Sequence, residues 1–164
     1  MTANDHKGIG PVNAPIFPKP PVVALLFIAS GFALGYLIPL RDRGSSTPIE
    51  SIVAGGAIMI CAVLIAMLGA RELARAGTTI HPGGSAAALV QTGVFRRSRN
   101  PLYLSLVLFL LGLGIATLNL WMIVLAPLML LYLQERVVKR EEEYLTQRFG
   151  ADYLAYKRNV RRWF

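Results

Sequence analysis

The chain has 164 residues, of which 54% are hydrophobic, and a mean hydropathy of +0.51. This is too apolar for a soluble globular domain of that length. Its net charge of +8 would suit nucleic acid, but the arginines lie beside apolar runs and form no separate basic domain. We therefore expect an integral membrane protein whose basic residues meet anionic lipid headgroups, with no nucleic-acid partner. The single cysteine, Cys61, lies within an apolar run, which excludes an intramolecular disulfide and a cysteine-rich metal site.

The first half of the chain predicts a tail followed by two membrane-spanning helices. Residues 1–21 contain five prolines and little apolar periodicity, which is typical of a disordered tail. Residues 22–40 and 49–70 are apolar blocks, and a helix needs about 20 residues to cross about 30 Å of hydrocarbon. Thr47 and Pro48 are the expected N-cap and first residue of the second helix. No cleaved signal peptide is expected, because no A-x-A-like site follows the first apolar block.

The second half holds 32 consecutive residues, 102–133, without a charge. A straight helix of that length would measure about 48 Å, which exceeds the thickness of the hydrocarbon. We therefore predict a helical hairpin with spans 102–117 and 119–133, with Trp121 at an interface and Pro127 bending the return helix. A charged helix then begins near Glu135 and ends at Gly150.

The predicted fold class is all-α: a polytopic membrane protein with about four transmembrane helices and a cytoplasmic or interfacial C-terminal helix. Residues 22–164 are expected to form one domain. Four crossings place the tail, the loop between the second and third spans, and the C-terminal part on one side. That side carries 15 of the 17 lysines and arginines, so it is predicted to be cytoplasmic, with both termini.

Residues 89–103, the arginine segment, read L-V-Q-T-G-V-F-R-R-S-R-N-P-L-Y and separate the second and third apolar blocks. Gly93 allows a backbone turn, and the backbone N–H groups there and at the start of the next helix could bind a carboxylate or an adenine edge. Alternatively, Arg96, Arg97 and Arg99 are ordinary cytoplasmic-side anchors and Tyr103 is an interfacial aromatic residue. From the residues alone, this second interpretation is preferred.

Most familiar catalytic patterns are missing. The chain has no G-x-G-x-x-G after a strand, no P-loop and no G-x-S-x-G serine. His81 has no second ligand at metal-binding spacing, so we expect a loop hydrogen bond and no metal. In the C-terminal helix, Glu141 and Glu142 read first as part of a solvated face; a functional role requires one of these carboxylates to meet a cation, such as a sulfonium or an amino group.

The arginine segment, taken together with the later stretch E-E-E-Y-L-T-Q-R-F-G-A-D-Y-L-A-Y-K-R-N-V-R-R-W, resembles the isoprenylcysteine carboxyl methyltransferase family, which is related to membrane phospholipid methyltransferases. The resemblance covers about residues 77–162 and implies S-adenosylmethionine as cofactor, wrapped by the first motif and covered by the second. Val94, Asn100 and Ser105 stand where the family motif has proline, histidine and glycine. The implied cofactor-binding residues are Val90, Gly93, Phe95, Arg99, Asn100, Pro101, Tyr103, Glu141, Glu142 and Tyr153, with Leu145, Phe149, Gly150 and Tyr156 shaping the cap.

These features predict an S-adenosylmethionine-dependent methyltransferase acting at the cytoplasmic membrane face on an amphiphilic or lipid-like acceptor, with carboxyl O-methylation of an isoprenylcysteine-like substrate as the leading case. A carboxylate acceptor is already anionic at neutral pH, so no strong base is needed. The hypothesised catalytic residues, which position the acceptor, are Arg99 and one of Arg136 or Arg140. Glu142 is expected to face the cofactor's cation. The alternatives are N- or S-methylation of a phospholipid or small acceptor, and a non-enzymatic membrane scaffold. The oligomeric state is not predicted.

Overall fold

The computed structural model describes residues 19–40, 47–78 and 87–163. Every regular element in these ranges is helical, which confirms the all-α fold class. The predictions for the tail before residue 19, for the polar turn at 41–46 and for His81 lie outside the described residues. The helices are α1 (Pro20–Leu37), α2 (Ile49–Arg75), α3 (Pro101–Ala116), α4 (Leu120–Leu133), α5 (Lys139–Phe149) and α6 (Ala151–Asn159), with a 3₁₀ turn at Gly93–Arg96 and a π-helical turn at Gln134–Val138.

Three of the described helices are long and apolar enough to cross a membrane: α1, α2 and the continuous helix Leu120–Phe149. The apolar part of that last helix is α4, and the charged residues follow it. With 16 residues, α3 is about 24 Å long and thus shorter than the hydrocarbon is thick. Large apolar side chains such as Leu25 of α1 and Met67 of α2 face outward, as lipid contact requires. The chain is a polytopic membrane protein.

The charge-free stretch folds as the predicted hairpin. α3 ends at Ala116, Leu118 adopts a left-handed φ of 49°, and α4 starts at Leu120. The Asn119 side chain caps α4 by accepting a hydrogen bond from the Met122 N–H. Pro127 lies within α4, and the bend expected there stays a prediction.

α1 packs antiparallel to α4 along the core of the bundle. In the first half of α1, the ring of Phe27 packs on that of Tyr132, near the end of α4, with centroids 6.3 Å apart. At its other end, the Trp121 Nε1–H donates to the carbonyl of Ile38 at 2.8 Å, which places Trp121 beside the hairpin turn. The N-terminal end of α1, the arginine segment and the C-terminal residues therefore lie at the same end of the bundle. Which membrane side this end faces stays a prediction.

Three helix starts differ from the sequence-based expectation. α1 starts at Pro20, within the stretch predicted as tail, because proline is tolerated in the first turn of a helix. Pro48 is not the first helical residue of α2 but its N-cap, since its extended backbone (φ −58°, ψ 143°) offers its carbonyl to the N–H groups of Ser51 and Ile52. The charged C-terminal helix does not start separately near Glu135. It continues α4 through the π-helical turn, because nothing between Leu133 and Lys139 interrupts the helical backbone.

Glycine allows α2 and α3 to approach closely. A Cβ atom at Gly55 would lie 2.4 Å from the carbonyl oxygen of Gly112 and 2.3 Å from the backbone nitrogen of Ala116, whereas one at Gly56 would meet nothing within 4 Å. Because both near atoms belong to backbone, a larger residue at position 55 separates the helices. This contact holds the N-terminal half of the bundle against the hairpin.

We predict opposite effects for alanine at these two neighbouring positions. Gly55→Ala should reduce stability by about 1–3 kcal/mol through overpacking. Gly56→Ala should be neutral or stabilising by up to about 1 kcal/mol, because alanine favours helix and the space is open. Thermal unfolding of both variants in one detergent tests this, and equal melting temperatures would contradict the packing described.

Candidate functional site

The arginine segment is fastened to the last residues of the chain by hydrogen bonds to their backbone. The Arg99 N–H donates to the carbonyl of Arg161 at 3.1 Å. The Ser98 hydroxyl and the Asn100 side-chain amide both donate to the carbonyl of Arg162, each at 3.2 Å. Residues 161–163, which we call the strap, therefore lie along the arginine segment at one end of the bundle.

Local geometry explains how the arginine segment takes its shape. Gly93 has a φ of +57°, and a Cβ there would lie 2.9 Å from the side chain of Glu72, so the 3₁₀ turn that follows Thr92 needs glycine. The carbonyl of Phe95 accepts a 2.6 Å hydrogen bond from the Tyr156 hydroxyl of α6. Pro101 then opens α3, where its missing N–H costs nothing.

These contacts enclose a cleft between the end of α2, the arginine segment, α5 and α6. It contains about 580 Å³ of atom-free space, including the part open to solvent. Apolar side chains line one part, and charged or hydroxyl-bearing side chains line the other. The lining residues are Leu73, Thr78, Ala88, Leu89, Val90, Phe95, Arg99, Asn100, Glu141, Glu142, Leu145, Tyr153 and Tyr156.

Glu142 is buried and surrounded by cations from three separate parts of the chain. Arg162 binds it with two hydrogen bonds, from Nε to Oε1 at 2.9 Å and from Nη2 to Oε2 at 2.8 Å. Arg99 Nη1 lies 3.1 Å from Oε1, and Lys157 Nζ lies 3.6 Å from Oε2. Burial acts to raise the pKa of Glu142, but the Arg162 hydrogen bonds and the charges of Arg99 and Lys157 outweigh it and hold the pKa below its ordinary value.

Arg99 keeps unused hydrogen-bond donors in the cleft. Its side chain is only 8% exposed, and within the described residues its Nε and Nη1 atoms have no hydrogen-bond partner. Its contact with Glu142 is close enough for an ion pair but lacks hydrogen-bond geometry. A buried guanidinium with free donors is costly on its own, so it suits an anionic group entering the cleft.

Glu141, the neighbour of Glu142, has a different environment. Its Oε2 accepts a 2.8 Å hydrogen bond from the hydroxyl of Tyr103, and no described lysine or arginine forms an ion pair with it. Burial is the main cause that raises the pKa of Glu141, the charge of Glu142 adds to it, and the Tyr103 hydrogen bond partly opposes it. The two adjacent carboxyl groups thus differ: one is neutralised by cations, and the other lines the cleft without a cation.

Two tyrosines of α6 complete the wall beside Arg99. The rings of Tyr153 and Tyr156 are tilted by 58° with centroids 6.1 Å apart. Burial, together with the charge of Glu142, raises the pKa of Tyr153 to about 12, so its hydroxyl is neutral at physiological pH. The Tyr156 hydroxyl is used by the carbonyl of Phe95, and the Tyr153 hydroxyl interacts with Arg99, so the two tyrosines add aromatic faces and no charge to the wall.

The structure brings most of the predicted site residues together. Val90, Phe95, Arg99, Asn100, Glu141, Glu142 and Tyr153 all line the cleft. Among the others, Gly93 and Pro101 shape the arginine segment, and Tyr103 reaches the cleft through Glu141.

The two predicted alternatives for a second catalytic arginine lie elsewhere. Arg136 and Arg140 are exposed and are not among the lining residues. Residues two apart on an α-helix point about 200° apart, so Arg140 cannot share the face of Glu142. Arg162 and Lys157 approach Glu142 instead, and the sequence analysis missed both. The sequence indicated only that a buried carboxylate needs a cation nearby. This rule does not identify which lysine or arginine, 15 or 20 positions away, supplies it.

Comparison with known proteins agrees with the two-motif resemblance. A model of the phospholipid methyltransferase family matches residues 51–152, which is more than half of the chain. The chain belongs to this family. It is therefore a membrane methyltransferase by family, and the relationship expected from the arginine segment and the paired glutamates is confirmed. No curated protein and no solved structure matches the chain significantly.

The low pKa of Glu142 predicts an acid-sensitive fold. Its stabilising contribution is complete above about pH 4.3, the ordinary pKa of glutamate, and is lost as the pH falls through the lower pKa of the folded chain. Glu142→Gln should lower the free energy of unfolding at pH 7 by up to about 3 kcal/mol. The loss stays at the low end of the range for a buried ion pair because Arg162 and Lys157 are partly solvated. The variant should also lose less stability than wild type when the pH is lowered.

The measurement is the melting temperature from pH 7 to pH 3, with the exposed neighbour variant Glu143→Gln as the matched control. That control should follow the wild-type pH profile. A Glu142→Gln protein with a wild-type profile would show that the ion cluster contributes nothing.

Proposed function

We propose that the chain uses S-adenosylmethionine to methylate an amphiphilic acceptor that reaches the cleft from the membrane. One observation carries the proposal: in a chain of a methyltransferase family, the cleft presents one cationic and one anionic side chain that have capacity left for a ligand. Among the described residues these are Arg99, with two donor atoms that make no hydrogen bond, and Glu141, with no cation partner.

The cleft fits the charges of S-adenosylmethionine, which has a carboxylate, an amino group and a sulfonium. Arg99 would hold the carboxylate through its free Nε and Nη1 donors, and Glu141 would attract a cationic group. The apolar wall, which includes Val90 and Leu145, would contact the adenosine part. The bound cofactor would supply an electrophilic methyl group, while the chain supplies orientation and exclusion of water.

This proposal gives the cation-binding role to Glu141 in place of Glu142. Both oxygens of Glu142 are already bound by Arg162, and two further cations lie near them. Adding a cationic ligand there would displace existing bonds. Glu141 offers an oxygen without that competition, and the Tyr103 hydroxyl holds its carboxyl group in place.

The acceptor is proposed to be membrane-borne because the cleft lies at the end of a bundle whose sides face lipid. The bundle end that carries the cleft is proposed to be cytoplasmic, since it is flanked by most of the lysines and arginines. An isoprenylcysteine-like carboxylate is the first candidate acceptor, because it is already ionised at neutral pH.

A second candidate is the amine of a phospholipid headgroup, favoured by the environment of Glu141. An ammonium group must lose its proton before its nitrogen lone pair can attack a methyl group. For this acceptor the carboxyl of Glu141, which lies in the cleft and has a raised pKa, would accept that proton in place of binding the cofactor's cationic group. The family description, phospholipid methyltransferase, agrees with such an acceptor.

The cofactor assignment predicts a specific loss of binding. Glu141→Gln should weaken S-adenosylmethionine binding by about tenfold or more, equivalent to about 1.4 kcal/mol, because a carboxylate that faces the cationic end is removed. Isothermal titration of the detergent-purified protein measures this, with the exposed Glu143→Gln variant as control. Wild-type affinity in Glu141→Gln would refute the role of Glu141. If the wild-type protein does not bind S-adenosylmethionine, the proposed enzymatic function is refuted and a non-enzymatic scaffold is favoured.

The acceptor can be identified from the chemistry of the product. Protein incubated with methyl-labelled cofactor should label either a prenylated cysteine analogue or phosphatidylethanolamine presented in the same vesicles. A methyl ester releases labelled methanol in alkali, whereas an N-methyl group survives it. Base-labile label supports carboxyl methylation and base-stable lipid label supports amine methylation. Cofactor binding without label in either acceptor would refute both candidates.

A further inference from the structure

The strap binds Glu142, a residue that lines the cleft, through the side chain of Arg162, although the strap lies outside the residues that match the family model, 51–152. Its backbone carbonyls bind the arginine segment, as described above. Its Trp163 Nε1–H donates to the side-chain oxygen of Gln134 at 3.0 Å, in the π-helical turn that leads into α5. The strap therefore contacts both the arginine segment and the helical turn that leads into α5, and Arg162 belongs to it.

Arg162 and Arg99 approach the same carboxylate in different ways. Arg162 makes the two-pronged contact, with good hydrogen bonds to each oxygen of Glu142. Arg99 Nη1 lies 3.1 Å from Oε1 without hydrogen-bond geometry, so in the described part of the chain its Nε and Nη1 have no hydrogen-bond acceptor. The bidentate contact of Arg162 engages both oxygens of the carboxylate, which is the strongest geometry for an arginine and fixes how the oxygens are oriented. The two arginines thus compete for Glu142, and Arg162 holds the favourable geometry.

We propose that Arg162 is a positioning residue that engages Glu142 and so keeps the donors of Arg99 free for an anionic group of the ligand. It does not touch the ligand itself. Without Arg162, Glu142 turns its oxygens to Arg99, and the donors that the ligand needs become occupied. The proposal rests on the proposed function, because the anionic group is taken to be the cofactor's carboxylate.

The other charged or titratable groups around Glu142 do not replace Arg162. Lys157 of α6 lies 3.6 Å away with a side chain that is 43% exposed, so it adds a partly screened charge and no bidentate contact. Tyr153 of α6 faces Glu142 with a neutral hydroxyl group. Glu141, the neighbour of Glu142 in α5, repels the charge of Glu142. Arg99 is left as the group that would take up the freed carboxylate.

Ligand binding by a set of variants tests the competition, with the full chain in detergent. Arg162→Ala should weaken S-adenosylmethionine binding by at least tenfold. Methylthioadenosine lacks the amino-acid part and therefore the carboxylate that Arg99 would bind. The variant should bind it with an affinity within about twofold of wild type, a difference of about 0.4 kcal/mol. Adding Glu142→Gln to Arg162→Ala should restore much of the lost affinity, because a neutral amide competes weakly for Arg99.

Arg161→Ala is the matched control: it removes the same charge from the adjacent residue, whose side chain is exposed and whose backbone bond to Arg99 is kept. It should bind both ligands as wild type does. Equal losses for both ligands in Arg162→Ala, or a double variant no better than Arg162→Ala, would show that Arg162 only supports the fold and would overturn the proposal.

A second measurement needs no ligand. A double-mutant cycle with Arg99→Gln and Glu142→Gln, read from melting temperatures, gives the coupling between these side chains. The coupling should be larger in an Arg162→Ala background than in wild type, and an unchanged or smaller coupling would refute the competition. If the wild-type protein binds no S-adenosylmethionine, the proposed function fails while this cycle still decides the role of Arg162.

Discussion

The burial of one charged group, the Glu142 carboxylate, organises the polar end of this membrane protein. A buried carboxylate is tolerated only when cations and hydrogen bonds replace the water it has lost. Here the cations come from the arginine segment and from the C-terminal residues of α6 and the strap, so one side chain draws together two parts of the chain that are distant in the sequence. The cleft exists because these segments meet around Glu142 at the end of an apolar bundle.

The bundle fixes where that meeting takes place. Close packing of α2 on α3 at Gly55 and Gly112 positions the helix that follows the arginine segment, and the hairpin turn returns the chain to the same end. The continuous helix from α4 to α5 then carries the paired glutamates out of the apolar region. Its π-helical turn contains one residue more per turn than an α-helix and thereby rotates the face that α5 presents. Membrane packing and site geometry are thus linked through one helix.

Adjacent carboxyl groups take different roles because their partners differ. Glu142 is held ionised by its cations, whereas Glu141 is partly buried beside Tyr103, has no ion pair with a described lysine or arginine, and has a raised pKa. The same contrast applies to Arg99 and Arg162, which approach one carboxylate but use it differently. A site built from such pairs can offer a ligand both an anion-binding and a cation-binding group in a small volume. That property is what the proposed zwitterionic cofactor requires.

Sequence patterns predicted the order of the apolar helices but not every helix start, because the length of an apolar run and the positions of glycine, proline and asparagine act locally. The spans, the turn at residues 117–119 and the helix end at Gly150 follow from such signals. The two motifs also indicated which residues meet, including Arg99 and Glu142. The tertiary structure alone decided which carboxylate keeps capacity for a cation and which arginine neutralises the other, since Arg162 lies 20 residues from Glu142 and no periodicity links them. Pairing across such a distance depends on how the helices pack, and packing is a property of the whole bundle.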